Sequence, residues 1–368
     1  MNRSVILTMN EIFNHLRMFV SEDDTALVKE YQRHIDAAGN KELTKDIVKR
    51  ACLLRHEIEE WAPVLGFIYN DSKYIVVLDK YEDLFNSLSL DSIAPSDNIE
   101  LYQGGGMLAI ANKVIPLKNG VGSMEIINSC FGFDKGEHDC FEFEEISALF
   151  ENYSVFKIDD HVFSLNYVED FNRLEAIALT SLREYNGSVL QSKLKKFLLL
   201  ESSRSHAASI VNGLKSNQWE YTYLQFYQCL EYLFAVNNAI ELKDKYSISD
   251  ISPAIDIASD SILKKSEKDS LIGVLSQYTP QPTLDVFCKT TFNYEEPNRL
   301  EKAADYIYKI RCNLAHLRFK QDALPLKCDK MVMLEELAGI IADTYEALDA
   351  QIVSICETKN SWIQLLDK

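Results

Sequence analysis

Tyr308-Lys309-Ile310-Arg311-Cys312-Asn313-Leu314-Ala315-His316 decides how the C-terminal half of this 368-residue chain is read. Around it, apolar residues recur at Leu300, Ala303, Ala304, Ile307, Ile310, Leu314 and Leu317, the spacing of one buried helical face. Glu295-Glu296-Pro297 supplies acidic first-turn residues and an early proline, and Pro325 after Ala323-Leu324 predicts that the helix ends soon after Phe319. The stretch therefore sets an arginine and a histidine, with four residues between them, on a core helix. Arginine offers planar, permanently charged donors to a phosphate, and histidine exchanges a proton near neutral pH. Together they are the minimum equipment for cutting RNA without a metal.

Working outward, Tyr221 to Phe234 reads as a long aromatic-rich helix with Tyr223, Phe226, Tyr227, Leu230, Leu233 and Phe234 inward. A shorter helix is expected from Ser259 to Tyr278. Downstream, Leu334, Leu337, Ile341, Tyr345, Leu348 and Ile352 form an amphipathic stripe on a final helix of roughly seven turns. These spacings predict an all-α bundle over residues 206–368.

This part of the chain, from Trp219 to the C-terminus, resembles the HEPN superfamily. These are small helical bundles of prokaryotic toxins, abortive-infection proteins and CRISPR-associated nucleases, with an Arg-(four to six residues)-His signature. Tyr308 to His316 is similar to the family's motif helix, and Gln228-Cys229-Leu230-Glu231-Tyr232-Leu233-Phe234 to its first helix. The chain departs from the pattern in one place: Cys312 follows the arginine where the family usually has Asn, Asp or His, and Asn313 comes next. The resemblance implies a metal-independent endoribonuclease, a toxin or anti-phage effector in which two protomers form one cleft. Arg311 and His316 would be catalytic, Asn313 would orient them, and Glu231 would hold Arg311 across the bundle. No cofactor or metal is implied. The partners would be an RNA substrate, a second copy of the chain, and a protein or ligand trigger at the N-terminal domain. A second reading is a dimerising scaffold whose site, marked by Cys312, has decayed.

Helical geometry constrains the motif. Residues five apart lie about 140° apart around a straight helix, so Arg311 and His316 share no tight stripe, whereas Asn313 and His316 are neighbours on one face. A site assembled between two copies, or a helix that deforms near the motif, fits this spacing better than a self-contained dyad, and an accidental match would give the same spacing. Lys309, Arg311, Arg318 and Lys320 would line a positive cleft or, equally, a solvated helix face.

Composition bounds the rest. With 47% hydrophobic and 26% charged residues the chain can bury a substantial core, and its length predicts two domains. The net charge of −18 argues against a protein that coats nucleic acid nonspecifically. From Ile210 onward there are 17 Lys and Arg against 23 Asp and Glu, a balance of −6 that leaves −12 in the part before it. The eight cysteines form no CxxC pair, and the N-terminal apolar run is too short for a signal peptide. No run approaches ~18 uninterrupted apolar residues. These features together predict a cytoplasmic protein with reduced thiols and no membrane span.

The expected fold class is α+β, with a mixed α/β domain over residues 1–205 preceding the bundle. A helix is expected through Ile47, Ala51, Leu54, Ile58 and Trp61. Strands are expected at Tyr74–Leu78, Met107–Ala111, Ser123–Ile127 and Ser154–Ile158, with a turn at Lys118-Asn119-Gly120 and a hairpin at Asp159-Asp160 leading into His161–Leu165. Helices should follow at about Asp170–Tyr185 and Val189–Leu200, and Ser202–His206 reads as a linker or as a cap between packed helices. Gly104-Gly105-Gly106 reads as a flexible turn, since no phosphate-loop element accompanies it. Cys130, His138 and Cys140, with Asp134, Glu137 and Asp139, match no metal-ligand spacing. No Gly-x-Ser-x-Gly element is present.

Overall fold

A computed structural model describes residues 4–28, 34–54, 63–88, 90–131, 140–158, 168–180, 188–216, 218–246, 266–294, 297–315 and 326–366. The fold is α+β, mostly helical with a small antiparallel sheet, in two compact units that divide between Ala178 and Leu179. The division falls earlier than the 205/206 boundary expected from the sequence. The reason is that the helix Ser188–Leu198 belongs to the second unit, tied there by Lys193 to Glu336 (2.9 Å) and Lys196 to Asp343 (2.7 Å).

The first unit contains helices α1 (Val5–Arg17), α2 (Lys41–Arg50), α3 (Glu82–Asn86), α4 (Ile99–Ala111), α5 (Ser123–Ile126), α6 (Phe143–Ser147) and α7 (Val168–Leu179). Its strands are β1 (His34–Asp36), β2 (Cys52–Leu53), β3 (Val64–Tyr69), β4 (Ser72–Leu78), β5 (Asp91–Ile93), β6 (Cys140–Glu142) and β7 (Tyr153–Ile158). β2-β3-β4-β7-β5 form the antiparallel sheet, and β1 and β6 pair separately in parallel. β3 and β4 are joined by Asn70-Asp71, both at positive φ (48° and 59°), the two-residue hairpin geometry that matches strand twist. The hairpin expected at Asp159-Asp160, and His161–Leu165 after it, lie outside the described residues.

Both faces of the sheet are covered. Gly66 lies against the Phe171 ring of α7, whereas Phe67, which points to the opposite face, lies with Val76 and Val155 against Gly105 of α4. Burial on both sides explains the near-continuous apolar runs of β3, β4 and β7. It also accounts for the main corrections. Gly104–Gly106 is no flexible turn, and Met107–Ala111 no strand: both belong to α4. The glycines let that helix approach Ile47, Val76 and Tyr153 more closely than side chains would permit. Ser123–Ile127 is helical as well, passing into a π-helical turn at Ile127–Phe131. The Lys118–Gly120 segment does turn, with Gly120 at φ +96°, but it joins no strands. α2 stops at Arg50 because Cys52 and Leu53 pair with β3, and Ile58 and Trp61 lie outside the described residues.

The second unit is helical throughout its described residues: α8 (Ser188–Leu198), a 3-10 turn (Glu201–His206), α9 (Ala207–Lys215), α10 (Trp219–Tyr246), α11 (Glu267–Tyr278), α12 (Gln281–Phe292), α13 (Arg299–Ala315) and α14 (Lys330–Leu366). The six inward residues expected on α10 and the six on α14 are all buried, as are Ala303, Ala304, Ile307 and Ile310 on α13. At 37 residues α14 is about ten turns, longer than the stripe implied, because residues before and after the apolar repeat continue the helix. Ser202–His206 is not a linker. Ser202 N–H donates to Asp349 at 2.9 Å, and Ser203 and His206 are buried. α12 was not expected; it starts beside Pro282 and ends at Asn293, which takes the left-handed conformation (φ 52°).

Candidate active site

Arg311 sits on α13 one residue past the buried Ile310, so its backbone is fixed by the core while its side chain reaches the helix surface. There it meets two carboxylates from two other helices. Nη2 donates to Glu231 Oε1 of α10 at 2.9 Å, and Nε pairs with Glu267 Oε1 of α11 at 3.0 Å. Glu231 is the partner that the resemblance implies; Glu267 is not among the residues it points to. Tyr227, one turn before Glu231, donates its hydroxyl to the same Glu267 oxygen at 2.9 Å, and its ring centroid lies 5.7 Å from the guanidinium carbon. Glu267 is the first residue of α11, after the Ser266 cap, where unpaired backbone N–H groups favour a carboxylate.

The site is partly desolvated. Arg311, Glu231 and Glu267 side chains retain 23%, 32% and 27% of their exposure, enough for contact with solvent and too little to hydrate three charges freely. Burial raises the Glu231 carboxyl above the ordinary glutamate range; Arg311 opposes that shift and Glu267 adds to it. Burial, with Glu267 beside it, likewise raises the Tyr227 phenol, which therefore stays a donor at neutral pH. Beyond Arg311, the pKa of the Tyr308 hydroxyl is raised by its hydrogen bond to Cys312, so Cys312 bonds back along its own helix.

The other expected members are placed differently. Asn313 is exposed, about 200° around α13 from Arg311, and its side chain makes no hydrogen bond among the described residues, so it does not orient that guanidinium. Lys309 is exposed and pairs with Asp305 (2.7 Å), which also holds Lys268 (2.7 Å). Arg311 and Lys309, the two described members of the expected positive cleft, lie with Lys268 against Glu231, Glu267 and Asp305, so this part of it carries no cationic excess. His316, Arg318 and Lys320 lie outside the described residues.

Elsewhere, Cys130 is buried and Cys140 exposed at a strand end, with Asp134, Glu137, His138 and Asp139 outside the described residues. Among the described residues no group of His, Cys, Asp and Glu is arranged to hold a metal ion, and no helix is long and apolar enough to cross a membrane. Glu267 and Tyr227 were missed because one opens a separate helix and the other reads as core. The cap pattern Ser266-Glu267-Lys268-Asp269 was the available signal for the first. Comparison with protein-family models, with curated proteins and with solved structures finds no match.

Proposed function

We propose that the second unit is a HEPN-like bundle acting as a metal-independent endoribonuclease, working as a homodimer in the cytoplasm as a toxin or anti-phage effector. The N-terminal unit would receive the protein or ligand trigger. The observation that carries this reading is the anchoring of Arg311 by Glu231 across α10 and α13, which presents a charged, oriented guanidinium at the head of the motif. In the reaction the RNA 2′-oxygen attacks the adjacent phosphorus, loses its proton to a base and displaces the 5′-oxygen, which takes a proton from an acid. The products are a 2′,3′-cyclic phosphate and a 5′-hydroxyl. His316 supplies the base in one copy and the acid in the other, and Arg311 bonds the phosphoryl oxygens as charge accumulates on them.

A second reading, a non-catalytic dimerising bundle that binds a protein partner, is favoured by the neutralisation of Arg311 and Lys309 by three nearby carboxylates. One experiment separates the two: wild type, His316→Ala and Arg311→Ala/His316→Ala are incubated with total RNA in excess EDTA, and fragment ends are analysed. Cleavage by wild type alone, leaving cyclic phosphate and 5′-hydroxyl ends, supports the nuclease. Equal behaviour of all three favours the scaffold.

A further inference from the structure

A guanidinium at a helix surface is mobile: the arginine side chain carries about 2 kcal/mol of rotamer entropy, and one carboxylate partner leaves its plane free to swing. Arg311 has more than one partner. Its planar fork is gripped along a single edge, Nε by Glu267 and Nη2 by Glu231, from two helices that contact α13 independently. Two anchors on one rigid plane fix the direction of the third nitrogen, Nη1, which has no acceptor among the described residues. Glu267 is itself restrained, since the oxygen that accepts from Arg311 Nε also accepts from the Tyr227 hydroxyl, and the Tyr227 ring lies against the guanidinium.

We infer that Glu267, tethered by Tyr227, is a positioning residue for Arg311: with Glu231 it closes a two-carboxylate clamp that leaves the far end of the fork, Nη1 and the second Nη2 hydrogen, to meet a phosphate. The catalytic consequence rests on the nuclease reading; the clamp itself does not. The arrangement also sets how strongly phosphate binds. One cation between two ionised carboxylates leaves a net negative charge, which an RNA phosphate must approach in a partly desolvated site where repulsion is weakly screened. The clamp therefore improves orientation at the expense of affinity. Its two effects separate by substitution, because Glu267→Gln retains an acceptor for Nε and Tyr227 while removing the charge, and Glu267→Ala removes both.

The test uses full-length wild type, Glu267→Ala, Glu267→Gln and Tyr227→Phe, each checked for a folded state by thermal unfolding. The first readout is the rate of Arg311 modification by phenylglyoxal, measured by peptide mass spectrometry, which requires no RNA cleavage. Modification should be at least about fivefold faster in Glu267→Ala, intermediate in Tyr227→Phe, and near the wild-type rate in Glu267→Gln; equal rates in all four overturn the clamp. The second readout is RNA cleavage. Glu267→Ala should lower kcat about tenfold or more, and Glu267→Gln should restore most of it with a KM below that of wild type. A Gln variant no better than Ala, or an Ala variant with wild-type kcat, overturns the positioning role. Failure of wild type to cleave RNA refutes the nuclease reading alone and leaves the modification rates to decide the clamp.

Discussion

Acidification should unlatch the centre of the second unit through His206. The imidazole is 7% exposed, lies edge-on to the rings of Tyr232 (4.8 Å between centroids) and Tyr345 (5.5 Å), and has Nε2 2.8 Å from the Tyr345 hydroxyl. That hydroxyl donates its proton to the Cys229 carbonyl at 2.7 Å, so His206 Nε2 must carry a proton and donate to the tyrosine oxygen. Burial holds the ring neutral at neutral pH, lowering its pKa from 6.5 to about 4. A group whose folded pKa is depressed contributes stability that is complete above its unfolded pKa and is lost as pH falls through the folded one. Between 6.5 and about 4, at ~1.4 kcal/mol per unit, the loss amounts to about 3 kcal/mol, a sizeable share of the ~5–15 kcal/mol typical of a domain. The assay is hydrogen exchange of α10 and α14 amides in increasing urea, for wild type and His206→Gln, at several values from about pH 7.5 to about pH 4.5. Wild type should lose stability relative to the variant at ~1.4 kcal/mol per unit below about pH 6.5. A difference between the two proteins that stays flat across that range would refute the argument.

Three further outcomes follow from packing. Gly106→Ala should cost about 1–3 kcal/mol, because a Cβ there would meet Tyr153 Oη at 2.2 Å; Gly122→Ala, with nothing within 4 Å, should leave the thermal midpoint unchanged. Tyr81 is 1% exposed and its buried hydroxyl has no hydrogen-bond partner among the described residues, so Tyr81→Phe should be neutral or stabilise by about 1 kcal/mol in urea unfolding; a comparable loss would contradict this. Arg311→Ala strands Glu231 and Glu267 beside each other and should destabilise by about 1–2 kcal/mol, less than for a fully buried pair because all three groups keep some solvent contact. Adding Glu231→Gln should recover part of that loss, and no recovery would mean that the carboxylates do not repel.

The second unit was legible to the degree that its helices are one-sided. α13 buries one face, and although α10 and α14 are buried more widely, with every residue from Glu336 to Ala342 buried, the large apolar residues Tyr223 through Phe234, Ala303 through Ile310 and Leu334 through Ile352 repeat at the helical period and could be sorted inward without a structure. The first unit resisted the same treatment at α4. That helix is buried from Leu101 through Ile110 apart from Tyr102, so it shows no amphipathic period, and Met107–Ala111 taken alone looks like a strand. Three glycines disfavour a helix by about 1 kcal/mol each, and only contacts with Ile47, Val76 and Tyr153 from distant segments reverse that preference.

For the candidate site, sequence alone determined the position of Arg311 on a core helix, which follows from the phase of apolar residues along α13, while its pairing with Glu231 was an expectation carried by the family resemblance. Tertiary structure alone decided the rest. It turned Asn313 to solvent, gave Lys309 to Asp305, and brought Glu267 to the guanidinium with Tyr227 behind it. Periodicity reports which side of a helix is apolar, while the partner of a charge at the edge of that side depends on how three helices cross. That crossing is set by the summed packing of their cores, a quantity no local stretch of sequence contains.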